Sequence, residues 1–157
     1  MIVDSTVLIS LGNIGKIELI NNCIIPDKVL KEITNEPAKN ALLTLKFQKV
    51  IPLQNTIEQS LKILGDKYET GDSDIVALLI DSPSSIIATD DKRLRNVCRA
   101  LGGKVTGTLG ILINSVKKQN ISKEEALMIL DKLNEIGFRM SLELYNTVRE
   151  KIEQFEF

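Results

Sequence analysis

Apolar residues along the chain fall into two kinds of run. The short continuous runs are Met1-Ile2-Val3, Cys23-Ile24-Ile25, Lys49-Val50-Ile51, Ile86-Ile87-Ala88 and a stretch around Val105, and each has the length and composition of a buried strand. Between them apolar positions recur at helical spacing. Ser5-Thr6 is placed to cap a helix through Val7, Leu8 and Leu11, which Gly12 and Gly15 break before a short turn over 16–20. Further helices are predicted over 27–34 (Val29, Leu30, Ile33), 38–48 (Ala41, Leu42, Leu45), 57–68, 91–101 and 108–118. The segment from Asp74 to Ile80 is apolar on almost every face, so it reads as a buried helix.

Strand-sized runs alternating with helices indicate an α/β fold with a mainly parallel sheet. After residue 118 the alternation stops. Two helical stretches, 122–136 and 141–154, follow with no strand between them, the first opened by the capping-box pattern Ser122-Lys-Glu-Glu125 and closed at Gly137. The economical organisation is one α/β domain over 1–118 and a helical extension, 119–157, packed on it. The apolar stripe Ala126, Ile129, Leu130, Leu133 and then Leu144, Val148, Ile152 suits that packing first, and a homodimer or protein-partner surface second.

Composition narrows the chemistry. The 157 residues are 43% hydrophobic and 26% charged, as in a globular domain. No apolar run approaches the roughly 18 residues of a membrane span, and the start lacks the pattern of a signal peptide, so a cytoplasmic protein is expected. Cys23 and Cys98 lie singly in apolar stretches and suggest neither a disulfide nor a thiolate metal site. The chain contains no histidine, which excludes Ser-His-Asp and Cys-His hydrolases, histidine-based ribonucleases and histidine-ligated zinc or iron. A net charge of −1 gives no global pull toward nucleic acid. Hydrolytic chemistry would have to rest on carboxylates, lysines, hydroxyls or a bound metal.

The acids are placed to do so. In open α/β sheets sites lie beyond the carboxyl ends of strands, where strand order reverses. Asp4 follows the first strand, and Asp90-Asp91 follow Ile86-Ile87-Ala88-Thr89. Gly71-Asp72-Ser73-Asp74 opens the buried helix, and Glu32 borders the apolar face of the helix over 27–34. Singly, each has a plain structural explanation as a cap, a turn residue or a solvated helix charge. Together they would repel strongly, since two like charges 4 Å apart cost about 4 kcal/mol at an effective dielectric of 20. A convergent set must take up protons or bind a cation, and oxygen ligands alone suit Mg²⁺ or Mn²⁺.

The same residues carry a family resemblance. Val3-Asp4-Ser5-Thr6-Val7-Leu8-Ile9, the helical Glu32, Asp74-Ile75-Val76-Ala77-Leu78 and Thr89-Asp90-Asp91-Lys92-Arg93-Leu94 resemble the PIN-domain nucleases, and among them the VapC-like toxins of toxin–antitoxin systems. Ala100-Leu101-Gly102-Gly103-Lys104-Val105-Thr106-Gly107-Thr108-Leu109-Gly110 and Gly137-Phe138-Arg139-Met140-Ser141 are similar to a subgroup with an added helical tail. The resemblance implies a three-layer α/β/α fold with sheet order 3-2-1-4-5. It matches Asp4, Glu32, Asp74 and Asp91 to the catalytic quartet, with Asp4, Asp74, Asp90 and Asp91 as the metal-ligand candidates. Within the double Asp, Asp91 fits the family's Thr-x-Asp better. Ser5, Asp72 and Thr89 would support the site, Asp72 standing where the subgroup often has Glu. The implied activity is Mg²⁺- or Mn²⁺-dependent hydrolysis of RNA, leaving a 5′-phosphate and a 3′-hydroxyl, with an antitoxin protein as the expected regulator.

For RNA contact the helix from Asp91 offers Lys92, Arg95 and Arg99 on one side, although any surface helix shows a basic face opposite an apolar one. With 4% aromatic residues, base stacking supplies little sequence reading. The alternatives are an RNA-processing PIN nuclease and a catalytically inactive RNA-binding PIN protein. An aspartate-based phosphatase wants a second acid two residues after Asp4, where Thr6 stands, and a P-loop enzyme wants a Gly-x-x-x-x-Gly-Lys segment that is absent.

Overall fold

The computed structural model describes residues 1–157. Five short strands, β1 (Ile2–Val3), β2 (Cys23–Pro26), β3 (Phe47–Val50), β4 (Ile86–Ala88) and β5 (Lys104–Thr106), form one sheet in the order β3-β2-β1-β4-β5, all pairs parallel. Parallel neighbours require crossovers, and helices supply them on both faces. In β1 and β4, Val3, Ile87 and Ala88 are fully buried, and Ile2 is nearly so. The order and layering are those implied by the resemblance: a PIN-like α/β/α fold.

Nine helices complete the chain: α1 (Ser5–Asn13), α2 (Asp27–Glu32), α3 (Glu36–Leu42), α4 (Gln54–Leu64), α5 (Gly71–Asp81), α6 (Lys92–Ala100), α7 (Thr108–Lys117), α8 (Lys123–Glu135) and α9 (Leu142–Glu153). From β1 the chain turns through α1 and a 3-10 turn to β2 on one side. From β4 it turns through α6 to β5 on the other. The connections thus part beyond the carboxyl ends of β1 and β4, leaving the crevice in which α/β sheets place ligands. Register sets what lies there: Val3 pairs with Ala88, and the Asp4 N–H donates to the Ala88 carbonyl at 2.9 Å.

Several boundaries differ from the sequence expectation. The helix expected over 38–48 is α3, which starts at Glu36 under an Asn35 cap and stops at Leu42. Leu45 is buried from the following loop, and the third strand begins two residues early at Phe47, which pairs with Cys23. Ile51 then falls outside the strand, 67% exposed. The helix expected to reach Tyr68 ends at Leu64, because Gly65 turns left-handed at φ +71°. Gly12 does not break α1. It lies inside the helix where α3 packs close, and a Cβ there would stand 2.9 Å from the Ala38 Cα. Ser5 and Thr6 do not cap α1 either; Asp4 holds the N-cap position. The capping box at Ser122 is half formed: Ser122 accepts from the Glu125 N–H at 3.0 Å, while the Glu125 carboxylate turns to Lys16 at 3.2 Å.

The helices after α7 share the core of the sheet. Ala126, Ile129, Leu130, Leu133, Val148 and Ile152 belong to the same buried cluster as Val3, Val7 and Ile87. Leu144, expected on that face, is 41% exposed. Because Leu130 is fully buried in the shared core, Leu130→Ala should lower stability by about 2–5 kcal/mol. Chemical denaturation followed by circular dichroism should still show one transition; two would mean that the tail melts on its own.

Candidate active site

Asp4 is 3% exposed and carries the innermost carboxylate of the crevice. Its Oδ2 accepts from the hydroxyls of Thr6 and Thr89, both at 2.8 Å. The direction of these bonds is forced. The Asp90 N–H donates to Thr6 Oγ1 at 3.0 Å and the Asp91 N–H donates to Thr89 Oγ1 at 3.1 Å, so each hydroxyl uses a lone pair on a backbone donor and aims its proton at Asp4. Thr89 thus sits as the sequence suggested. Ser5 contributes only a long contact of 3.5 Å to Oδ1. Thr6, expected from the sequence as a helix cap and not as a site residue, is the stronger partner; its signal is a hydroxyl two residues after a strand-end acid.

The paired acids after β4 divide their tasks. Both Asp90 oxygens are taken by Thr108 at the start of α7, its N–H at 2.9 Å and its hydroxyl at 2.6 Å. Asp91 caps α6 with one oxygen, accepting from the Leu94 N–H at 2.8 Å, and its other oxygen has no protein partner. Asp91 therefore keeps an oxygen for the crevice, whereas Asp90 ties β4 to α7.

Glu32 is the last residue of α2, and its carboxylate lies against the backbone N–H of Gly71, the first residue of α5. Partial burial raises its pKa, with Asp4 and Asp72 adding to the effect, while the Gly71 N–H opposes it. Asp72, on the first turn of α5, is pushed up to about 6, by burial first and then by Asp4 and Asp91; Arg93, 3.9 Å away, pulls the other way. Asp4, Glu32, Asp72 and Asp91 thus share one electrostatic neighbourhood. Asp74 also adds to the rise at Glu32, but its own oxygens are committed to Lys28. It is fully buried, and its oxygens take the Lys28 backbone N–H at 3.2 Å and the Lys28 ammonium at 3.5 Å. Burial raises its pKa against the pull of Lys28.

On α6 the exposed Lys92 and Arg99 face solvent, while Arg95 is half-buried beside Gly107. Arg93, absent from the sequence-based set, reaches the acids: it pairs with Asp66 at 2.8 Å and donates to the Leu64 carbonyl at 3.0 Å. An open cleft of about 390 Å³ there is lined by Glu32, Thr70, Asp72, Arg93 and the 66–68 loop. Carboxylate oxygens crowded this way match a hard divalent cation in donor chemistry, although no three acidic side chains stand close enough to form a ligand group as placed.

A parallel 3-2-1-4-5 sheet with acids gathered where β1 and β4 diverge defines an α/β protein with an acidic site at its switch point. A family model described as a PIN domain matches residues 1–154, so the chain belongs to the PIN-domain family. Members of that family are in general nucleases and typically depend on divalent metal. The match includes the helical tail. No curated protein matches the chain. No helix is long and apolar enough to cross a membrane.

Two predictions follow from the crowding. With its pKa raised from 3.8 to about 6, Asp72 binds its proton more tightly in the folded protein than in the unfolded chain. Metal-free stability should therefore fall as pH rises from about 4 to 6, by on the order of 2 kcal/mol for this group. Asp72→Asn should reduce that decline and melt higher than wild type at pH 7.5 in chelator; equal melting temperatures would contradict the crowding. Separately, a Cβ on Gly71 would collide with Glu32 Oε1. Gly71→Ala should cost about 1–3 kcal/mol, and a Glu32→Ala background should recover most of the loss in a double-mutant cycle.

Proposed function

We propose that the protein is a Mg²⁺- or Mn²⁺-dependent endoribonuclease of the VapC-like toxin type. The observation that carries this reading is the arrangement around Asp4. A buried carboxylate is gripped by two hydroxyls at the switch point of a PIN sheet, and Glu32, Asp72 and Asp91 face the same crevice. Arg93 is the one cation drawn up to that group, and it is shared with Asp66. Asp4, Asp72 and the free oxygen of Asp91 are the groups that would hold a cation. Bound there, the ion would acidify a water and neutralise charge on the phosphate and the leaving oxygen. Glu32, whose pKa is raised, would orient that water and accept its proton. In-line attack at phosphorus with departure of the 3′-oxygen leaves a 5′-phosphate and a 3′-hydroxyl. Thr6 and Thr89 hold Asp4 in one orientation, and Lys28 holds Asp74 behind Asp72.

The toxin assignment rests on the order of the acids together with the resemblance of the segments 100–110 and 137–141 to a VapC-like subgroup, and it brings an antitoxin protein as the expected partner. The test is cleavage of an end-labelled structured RNA with Mg²⁺ or Mn²⁺, with chelator, and with variants. Cuts bearing 5′-phosphates should appear only with metal, and Asp4→Asn should reduce the rate about a hundredfold or more. Asp72→Asn should lose activity while keeping or gaining stability, whereas Asp74→Asn should lose activity only in step with stability. RNA that is bound but never cut would instead identify a binding protein, and equal cutting by Asp4→Asn would place the chemistry elsewhere.

A further inference from the structure

Two segments that mark the subgroup in the sequence, Val105–Gly110 and Gly137–Ser141, are far apart along the chain yet meet at one cleft. The cleft has a volume of about 470 Å³ and is separate from the one beside Asp72. Its charged residues are Arg95, Arg139 and Asp90, and its apolar wall includes Leu109, Phe138 and Leu144. Neither arginine has a carboxylate within ion-pair distance, although every other arginine except Arg99 has one. Asp90, the only acid there, has both oxygens committed to Thr108. The wall between is bare because residue 107 is glycine; a Cβ would stand 2.6 Å from Asp90 Oδ1 and 3.1 Å from an Arg95 guanidinium nitrogen. Leu144 stays partly exposed here and does not join the core.

We propose that this cleft is a subsite for one unpaired nucleotide of the RNA strand, next to the phosphate that is cut. Arg95 and Arg139 grip its phosphate, since guanidinium forks match phosphate oxygens. Phe138 lies against its base, with Leu109 and Leu144 completing an apolar seat. Asp90, which lines this cleft, directly precedes Asp91, which caps α6 and keeps one oxygen free, so the cleft lies one residue along the chain from the acidic group. The tail thereby contributes to substrate binding through the segment that joins α8 to α9. This inference rests on the endoribonuclease reading and adds to it a substrate contact carried by the helical tail.

The experiment measures binding of a fluorescently labelled single-stranded oligoribonucleotide by anisotropy in chelator, over a range of salt. Arg139→Ala should weaken binding about tenfold and lower the salt slope by about one. Phe138→Leu, which keeps an apolar side chain in place, should weaken binding with the slope unchanged. Lys132→Ala removes an exposed charge from α8 outside the cleft and should bind as wild type. With metal present, Arg139→Ala should raise KM and largely preserve kcat, and a 4-thiouridine oligonucleotide should photocrosslink to the peptide containing Phe138. If wild type cuts RNA but Arg139→Ala and Phe138→Leu match it in affinity and KM, the subsite is wrong and the nuclease reading stands. If wild type neither binds nor cuts any RNA, both fail.

Discussion

Like charge at the switch point of the sheet is the constraint around which this molecule is arranged. Asp4 is almost entirely withdrawn from water, and three further carboxylates look into the same crevice. A buried carboxylate needs donors, and here they come from the strand pairing itself. The register of Val3 on Ala88 puts Thr89 beside Asp4 and presents the N–H groups of Asp90 and Asp91 to the two threonine hydroxyls. A shift of one residue would break every bond in that set. Sheet register and site geometry are thus one feature.

Around this centre the remaining acids are handled separately. Asp90 is satisfied by Thr108, Asp74 by Lys28, and Asp91 by the start of α6 through one oxygen only. At Asp72 and Glu32 burial and neighbouring carboxylates raise the pKa, whereas at Asp74 burial raises it against the bonds from Lys28. Destabilising charge retained at one place, while similar charge nearby is fully bonded, is the pattern expected where function opposes stability.

The tail belongs to this arrangement. Its inward residues share the main core, and Glu125 pairs with Lys16 near the end of α1. Tyr145 donates to Asp131, joining α9 to α8. The link between the two helices then carries Phe138 and Arg139 to the mouth of β5 and α7.

Much of the fold was legible in the residues. Strand-sized apolar runs alternating with helical periodicity determine an α/β sheet, and hydroxyl or acidic caps such as Asp91, Ser122 and Ser141 mark helix starts by local chemistry alone. That acids follow β1 and β4 could also be read directly. Which acids meet could not. Asp72 and Asp74 are two positions apart on one helix, so their side chains diverge by about 200°, and the packing of α5 against α2 decides that Asp72 joins the crevice and Asp74 meets Lys28. The same holds for Thr6, for Arg93, and for Gly12 beneath Ala38. Periodicity reports which side of an element faces the interior, because burial acts on each residue through local repeat. The identity of the neighbour across the interface depends on crossing angle and register, and those arise only when the whole core packs.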